Sequence, residues 1–146
     1  MFKHILISTD GSPLANKSAK AGIALAKALG AKVTAYFAVE PSDPVFADGP
    51  AFNATVIKAL DAHTLDAGQK RVDTIGQIAK AAGVPCALLV TKAPTAYEGI
   101  VAAAKKQKCD AIFMASHGRS GFAALLMGSV TQKVLAHSRK PVVVYR

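Results

Sequence analysis

From residue 115 the chain reads Ala115-Ser116-His117-Gly118-Arg119-Ser120-Gly121, then an apolar bridge, then Gly128-Ser129. A hydrophobic run, Ala111-Ile112-Phe113-Met114, leads into this stretch, and a helical pattern follows it. Glycines between a strand end and a helix start let backbone N–H groups approach an anion closely. The chemistry suited to this pattern is the cradling of a phosphate group.

Nucleophilic catalysis is a weaker match. Ser116 and His117 are adjacent, but Gly118-Arg119-Ser120-Gly121 lacks the spacing of a G-x-S-x-G elbow. Nothing in the sequence supplies an orienting acid for the histidine. His117 therefore reads as a loop-shaping or ligand-edge residue. Neither a Walker loop nor the Rossmann glycine fingerprint is present. His4, His63, His117 and His137 are scattered, and Cys86 and Cys109 show no metal spacing, so no zinc site is expected. The two cysteines are expected to be buried free thiols.

The elements that must position the loop follow from hydrophobic periodicity. Residues 3–9 read as a first strand, with Ile5, Leu6 and Ile7 as a continuous apolar core. It delivers Asp10 to a turn, and Ser12 and Pro13 fit the cap and first position of a helix. Leu14, Ser18, Ala21, Leu25 and Leu29 give that helix its apolar face, and Gly30 ends it. Residues 33–39 form a second strand, followed by a Pro/Gly-punctuated loop over residues 40–50.

A long helix is expected over residues 52–82, its inward stripe carrying Val56, Leu60, His63, Ala67, Ile75, Ile78 and Ala82. Gly68 and Gly76 weaken it by about 1 kcal/mol each relative to Ala. His63 reads as a core or boundary histidine. Residues 86–91 make a third strand, and Pro94-Thr95 open a helix with Tyr97, Ile100, Val101 and Ala104 inward. Residues 111–115 make a fourth strand. Ser129 is expected to cap the last helix, with Gln132 completing a capping box. Val130, Val134 and Leu135 form its apolar side, and residues 142–145 make a fifth strand.

Five strands alternating with four helices give an α/β fold, an open doubly wound parallel sheet. Ligands in such sheets bind beyond the strand C-termini, where the strand order reverses. At 146 residues and 51% apolar content, one domain spanning residues 1–146 is expected. No apolar run approaches the roughly 20 residues of a membrane span, and no secretory cleavage pattern follows the first strand. A cytoplasmic protein is expected.

The net charge of +9 favours anionic partners. Basic residues are spread along the chain, and the two clusters, Lys105-Lys106-Gln107-Lys108 and Arg139-Lys140, fall near helix C-termini, where cations offset the dipole. Nucleic acid is not expected, because the few aromatics fall mainly in core strands and leave no stacking platform.

With these residues in view, the chain resembles the universal stress protein family along essentially its whole length. Nucleotide-binding members of that family carry Gly, two residues, Gly, nine residues, then Gly-Ser or Gly-Thr. The matching positions are Ala115, Gly118, Gly128 and Ser129, with Ala115 in place of the first glycine. Val130-Thr131-Gln132-Lys133-Val134-Leu135, the closing Lys140-Pro141-Val142-Val143-Val144 and the strand delivering Asp10 also resemble the family.

The resemblance implies an adenine nucleotide alpha hydrolase-like fold with strand order 3-2-1-4-5. It also implies a stress-response regulatory protein that binds ATP, or AMP or ADP, with little or no turnover. Ala115, His117, Gly118, Arg119, Gly121, Gly128, Ser129 and Val130 would surround the ribose and phosphates. Asp10 and the backbone near Val39 would hold the adenosine end. Arg119 can supply a bidentate contact, and Mg²⁺ would be held by the phosphates. The family commonly dimerises through its last strand, so a homodimer through Val142-Val143-Val144 is expected. Two alternatives remain at this point: a nucleotide-free protein-interaction module of the same fold, and a slow ATP hydrolase.

Overall fold

A computed structural model describes residues 1–41, 54–118 and 127–146. Its elements are β1 (His4–Ser8), α1 (Pro13–Leu29), β2 (Lys32–Val39), α2 (Ala54–Ala82), β3 (Cys86–Lys92), α3 (Ala96–Lys106), β4 (Ala111–Ala115), α4 (Ser129–His137) and β5 (Val142–Tyr145). The strands form one parallel sheet in the order β3-β2-β1-β4-β5. The order reverses between β1 and β4, whose pairing sets Ile5 beside Ala111 and Ile7 beside Phe113.

Local signals fix the helix ends. The Ser12 hydroxyl accepts the Ala15 N–H at 3.1 Å, with Pro13 opening α1. Gly30 closes it at φ +61°, a left-handed conformation that costs glycine little, and the Ala31 N–H then reaches back to Ala26 O at 2.8 Å. Gly83 repeats the device after α2, at φ +71°, with Val84 N–H donating to Ala79 O at 2.9 Å.

Alternation along the buried strands splits the core into two layers. Ile5, Ile7, Val33, Ala35, Phe37 and Phe113 pack with α1 and α2 on one face. Leu6, Tyr36, Ile112 and Met114 pack with Ile100, Ala103 and Ala104 of α3 and Val134 of α4 on the other. Leu6 is fully buried, so truncating it to Ala would cost about 2–5 kcal/mol.

The helix faces differ from the sequence expectation in an informative way. On α1 the buried positions are Ala15, Ser18, Ala19, Gly22, Ile23 and Ala26; Ala21, Leu25 and Leu29 are only partly buried. A Cβ on Gly22 would lie 2.9 Å from Ile7 Cδ1 and 3.0 Å from Phe113 Cδ1. The small residues therefore mark the line of closest approach to the sheet, and the leucines flank it. On α2 the buried residues are Gly68, Val72, Ile75 and Ala79, whereas Val56 and Leu60 are exposed. α2 runs unbroken through Gly68 and Gly76. Gly68 sits where a Cβ would be 2.5 Å from Phe37 Cδ1.

On α3, Gly99, Ile100, Ala103 and Ala104 are buried and Val101 is only partly so. On α4, Thr131 and Val134 are buried while Val130 and Leu135 are exposed. His63 is exposed on α2 rather than in the core. Cys109 is buried and Cys86 is half-buried, both as free thiols. Burial pushes the Cys109 thiol up to about 11. The segment expected as a loop after β2 lies mostly outside the described residues, as do Arg119, Ser120 and Gly121.

Candidate functional site

The chain leaves β1 towards α1 on one face of the sheet and β4 towards α4 on the other. The two connections diverge, and a crevice opens between them. The resulting cleft, of about 570 Å³, is lined by residues that include Asp10, Ala115, His117, Gly118, Gly128 and Ser129. Val130 and Thr131 of α4, Ala38 and Glu40 from the end of β2, and His63 and Arg71 of α2 also line it.

Asp10 stands at the end of β1. Its Oδ1 accepts the Ser12 N–H at 2.9 Å, which turns the chain into α1 and fixes the carboxylate. Gly11 takes φ +78°, and its N–H donates to Thr9 Oγ1 at 3.0 Å. Gly118 lies against this carboxylate, where a Cβ would run into Asp10 Oδ2. Among the described glycines only Gly11, Gly30 and Gly83 have positive φ. Gly118 is thus needed for space and not for a left-handed conformation.

Gly128 is also a matter of space. Its N–H donates to Ser116 O at 2.7 Å, and a Cβ there would lie 3.1 Å from His117 Cα and 3.3 Å from Ser116 O. Both are backbone atoms that cannot swing aside. Gly128, at φ −59° and ψ 148°, is the N-cap of α4, with Ser129 the first helical residue. The expected Ser129 cap is thus displaced by one position, and Gln132 Nε2 donates to Met127 O at 2.7 Å instead of closing a capping box. Thr131 Oγ1 donates to Ala115 O at 2.9 Å and so anchors the first turn of α4 to the end of β4.

The first turn of α4 leaves N–H groups without intrahelical partners at the positive end of the helix dipole. Ser129 and Val130 are exposed there, and the turn contains no acidic residue. An anion of suitable shape would satisfy those donors.

Ala115 takes the place of a glycine without strain. It ends β4 with a non-positive φ, is 9% exposed, and its carbonyl is satisfied by Thr131. His117 Nδ1 shares a hydrogen with Ser116 Oγ across 3.1 Å. Val39 is buried with its side chain in the core, and its carbonyl accepts the Ala93 N–H at 3.0 Å. Its neighbours Ala38 and Glu40, not Val39 itself, line the cleft. Glu40 Oε1 accepts the Ala96 N–H at 2.5 Å and ties the end of β2 to α3.

Arg71 is a cleft residue absent from the sequence expectation. Its guanidinium carbon sits 4.7 Å from the Phe37 ring centroid, and its stem passes directly over Gly11. The signal was the four-residue spacing of His63 and Ala67, which leads next to Arg71 on the same side of α2.

The family model of universal stress proteins matches residues 1–146. This chain belongs to the universal stress protein family. A universal stress protein of Thermus aquaticus is 34% identical over the full length of both chains. A solved universal stress protein of Methanocaldococcus jannaschii superposes with a TM-score of 0.82 at 26% identity, over 99% of this chain and 95% of that one. The fold is shared with a universal stress protein solved in complex with cAMP, with a TM-score of 0.74 at 20% identity over 99% and 97% of the two chains. It is shared as well with one from Archaeoglobus fulgidus in complex with dAMP, with a TM-score of 0.60 at 19% identity over 100% and 98%. Among the described residues of this universal stress protein, no helix is long and apolar enough to cross a membrane.

Proposed function

We propose that this universal stress protein binds an adenine nucleotide, ATP or its AMP and ADP relatives, in the cleft between β1 and β4. It holds the nucleotide with little or no turnover and acts as a regulatory protein. The observation that carries this is the open, acid-free N-terminus of α4 beside a loop whose Gly118 packs on Asp10. The cAMP and dAMP complexes of structural relatives support it at the level of the fold.

The phosphates occupy the first turn of α4, at the backbone of Ser129 and Val130, where donors and dipole favour negative charge. Gly118 and Gly128 supply the rest of the phosphate site, to which Arg119 and Gly121, outside the described residues, would add their contacts, and Asp10 accepts from a ribose hydroxyl. The donor-rich α4 terminus suits phosphate oxygens, so Mg²⁺ would be held by the phosphates and water, where it supplies charge neutralisation.

β5 lies at the sheet edge, paired with β4 on one side only, and its four residues are half-buried. This supports a homodimer in which Val142, Val143 and Val144 pair across a two-fold axis. A monomer in analytical ultracentrifugation at micromolar concentration would remove that part of the proposal.

Calorimetry with ATP, ADP and AMP, each with and without Mg²⁺, tests the nucleotide site. One saturable site per chain with negligible phosphate release is expected. A flat titration with all three would favour a nucleotide-free interaction module.

A further inference from the structure

In this fold every strand begins at one edge of the sheet and every helix ends there. Cations collect at that end. Lys3 precedes β1 and Lys32 opens β2, with the Lys32 N–H donating to Lys3 O at 3.0 Å. Lys27, Lys80, Lys105 and Lys106 occupy the last turns of α1, α2 and α3. Lys108 follows α3, and Arg139 and Lys140 join α4 to β5. These nine, half of the chain's 18 lysines and arginines, are all exposed.

Little at this end offsets them. Its carboxylate among the described residues, Asp110, accepts the backbone N–H groups of Lys3 at 2.8 Å and His4 at 3.2 Å. The ion pairs among the described residues, Lys70–Asp66 and Lys92–Asp61, use none of the nine. Four helix C-termini contribute roughly −0.5 each, about −2 in all. With Asp110 counted, the nine cations still leave a surplus of about +6 by the same dipole arithmetic. Asp10, Glu40 and Glu98 lie at the opposite edge. A helix the length of α1 separates the two ends by about 25 Å, roughly three Debye lengths in physiological salt. Helix-end neutralisation alone does not account for this surplus.

We propose that this basic end is a docking surface for the phosphate backbone of double-stranded DNA, bound without reading its sequence. Eight of the nine cations are lysines, compact point charges suited to phosphate rather than to bidentate base recognition. A single strand would need aromatic platforms. Phe2, the aromatic nearest this end in sequence, packs against the core. Of the exposed large apolar side chains, Met1 lies at this end and Leu135 in the last turn of α4, which is too little to anchor a bilayer. The Ser138 hydroxyl is engaged with the Lys140 backbone, so it is not available to read a ribose 2′-hydroxyl. In sequence these residues are dispersed, and only the fold assembles them.

The test is fluorescence anisotropy with a labelled random-sequence DNA duplex. Engagement of about four phosphates makes affinity fall on the order of 100-fold between about 50 and 200 mM salt. The variant Lys105→Gln/Lys106→Gln/Lys108→Gln/Lys140→Gln should bind at least about tenfold more weakly, as expected for lost phosphate contacts. Lys17→Gln/Lys20→Gln/Lys58→Gln/Lys133→Gln removes the same charge elsewhere and should stay within about threefold of the parent.

Melting temperature and adenine-nucleotide titration of each variant confirm an intact fold at the opposite edge. If the nucleotide titration is flat for the parent too, the DNA measurements still decide this proposal. It is overturned by three results: no duplex binding at low salt, equal loss in both variants, or binding of anionic vesicles or RNA but not DNA.

Discussion

Gly118 packs against Asp10 so closely that a Cβ on the glycine would run into the aspartate carboxylate. The carboxylate is itself pinned by the Ser12 N–H at 2.9 Å, so it cannot swing away without undoing the turn into α1. The loop leaving β4 and the loop leaving β1 are therefore registered to one another. Substituting Gly118→Ala should weaken adenine-nucleotide binding by roughly tenfold, equivalent to about 1.4 kcal/mol. Gly118 is exposed, so the melting temperature should change little. Calorimetry paired with a thermal melt checks both expectations, and unchanged affinity would mean that this registration is irrelevant to the ligand.

Asp10→Asn separates the turn from the charge. The amide oxygen can still accept the Ser12 N–H, so stability should be retained. A charged hydrogen bond to the ligand is worth about 1.5–3 kcal/mol, so affinity should drop by at least about tenfold. Denaturant midpoints and titration on the same variant provide the comparison.

Gly68 and Gly76 lie on the same helix and should respond in opposite ways to alanine. At Gly68 the new methyl would meet Phe37 Cδ1 at 2.5 Å and Cε1 at 2.9 Å, on a ring that is 8% exposed and capped by Arg71. Overpacking of that kind costs about 1–3 kcal/mol. At Gly76 the nearest atom is Leu88 Cδ2 at 3.0 Å, on a side chain that is 41% exposed and can rotate. There the gain in helix propensity, up to about 1 kcal/mol, should prevail. Urea midpoints for the two variants should move in opposite directions.

His4 makes stability depend on acidity. Its ring is buried and Nε2 shares a hydrogen with Thr34 Oγ1 across 2.8 Å. Burial, reinforced by nearby Lys32, lowers its pKa from 6.5. Above pH 6.5 the ring is neutral in both folded and unfolded chains, and its full contribution is present. As pH falls below 6.5 the unfolded chain takes up the proton first, and stability is lost until the folded ring is protonated too. Denaturant midpoints should fall between neutral and acidic pH, and the fall should be shallower in His4→Gln.

Much of this was legible in the sequence because it depends on local signals. Ser12-Pro13 and Gly30 announce the ends of α1 through backbone chemistry that needs no tertiary context. Asp10 and the glycine loop were placed at the same sheet edge by strand–helix alternation alone. What escaped required knowledge of distance between elements. The buried face of α1 is, apart from Ile23, its small residues, because at Gly22 the helix approaches Ile7 and Phe113 too closely for a leucine. Arg71 enters the cleft only because Gly11 leaves room for its stem. The cap of α4 moved from Ser129 to Gly128 because the chain must pass tightly over Ser116 and His117.

The most direct test is a ¹⁵N–¹H correlation spectrum of the protein titrated with ATP and Mg²⁺. Saturable shifts should concentrate at the amides of Gly11, Gly118, Ser129 and Val130, where the β1 and β4 loops face the first turn of α4. Saturable shifts confined to other regions, or no shift at millimolar ATP, would contradict the nucleotide site.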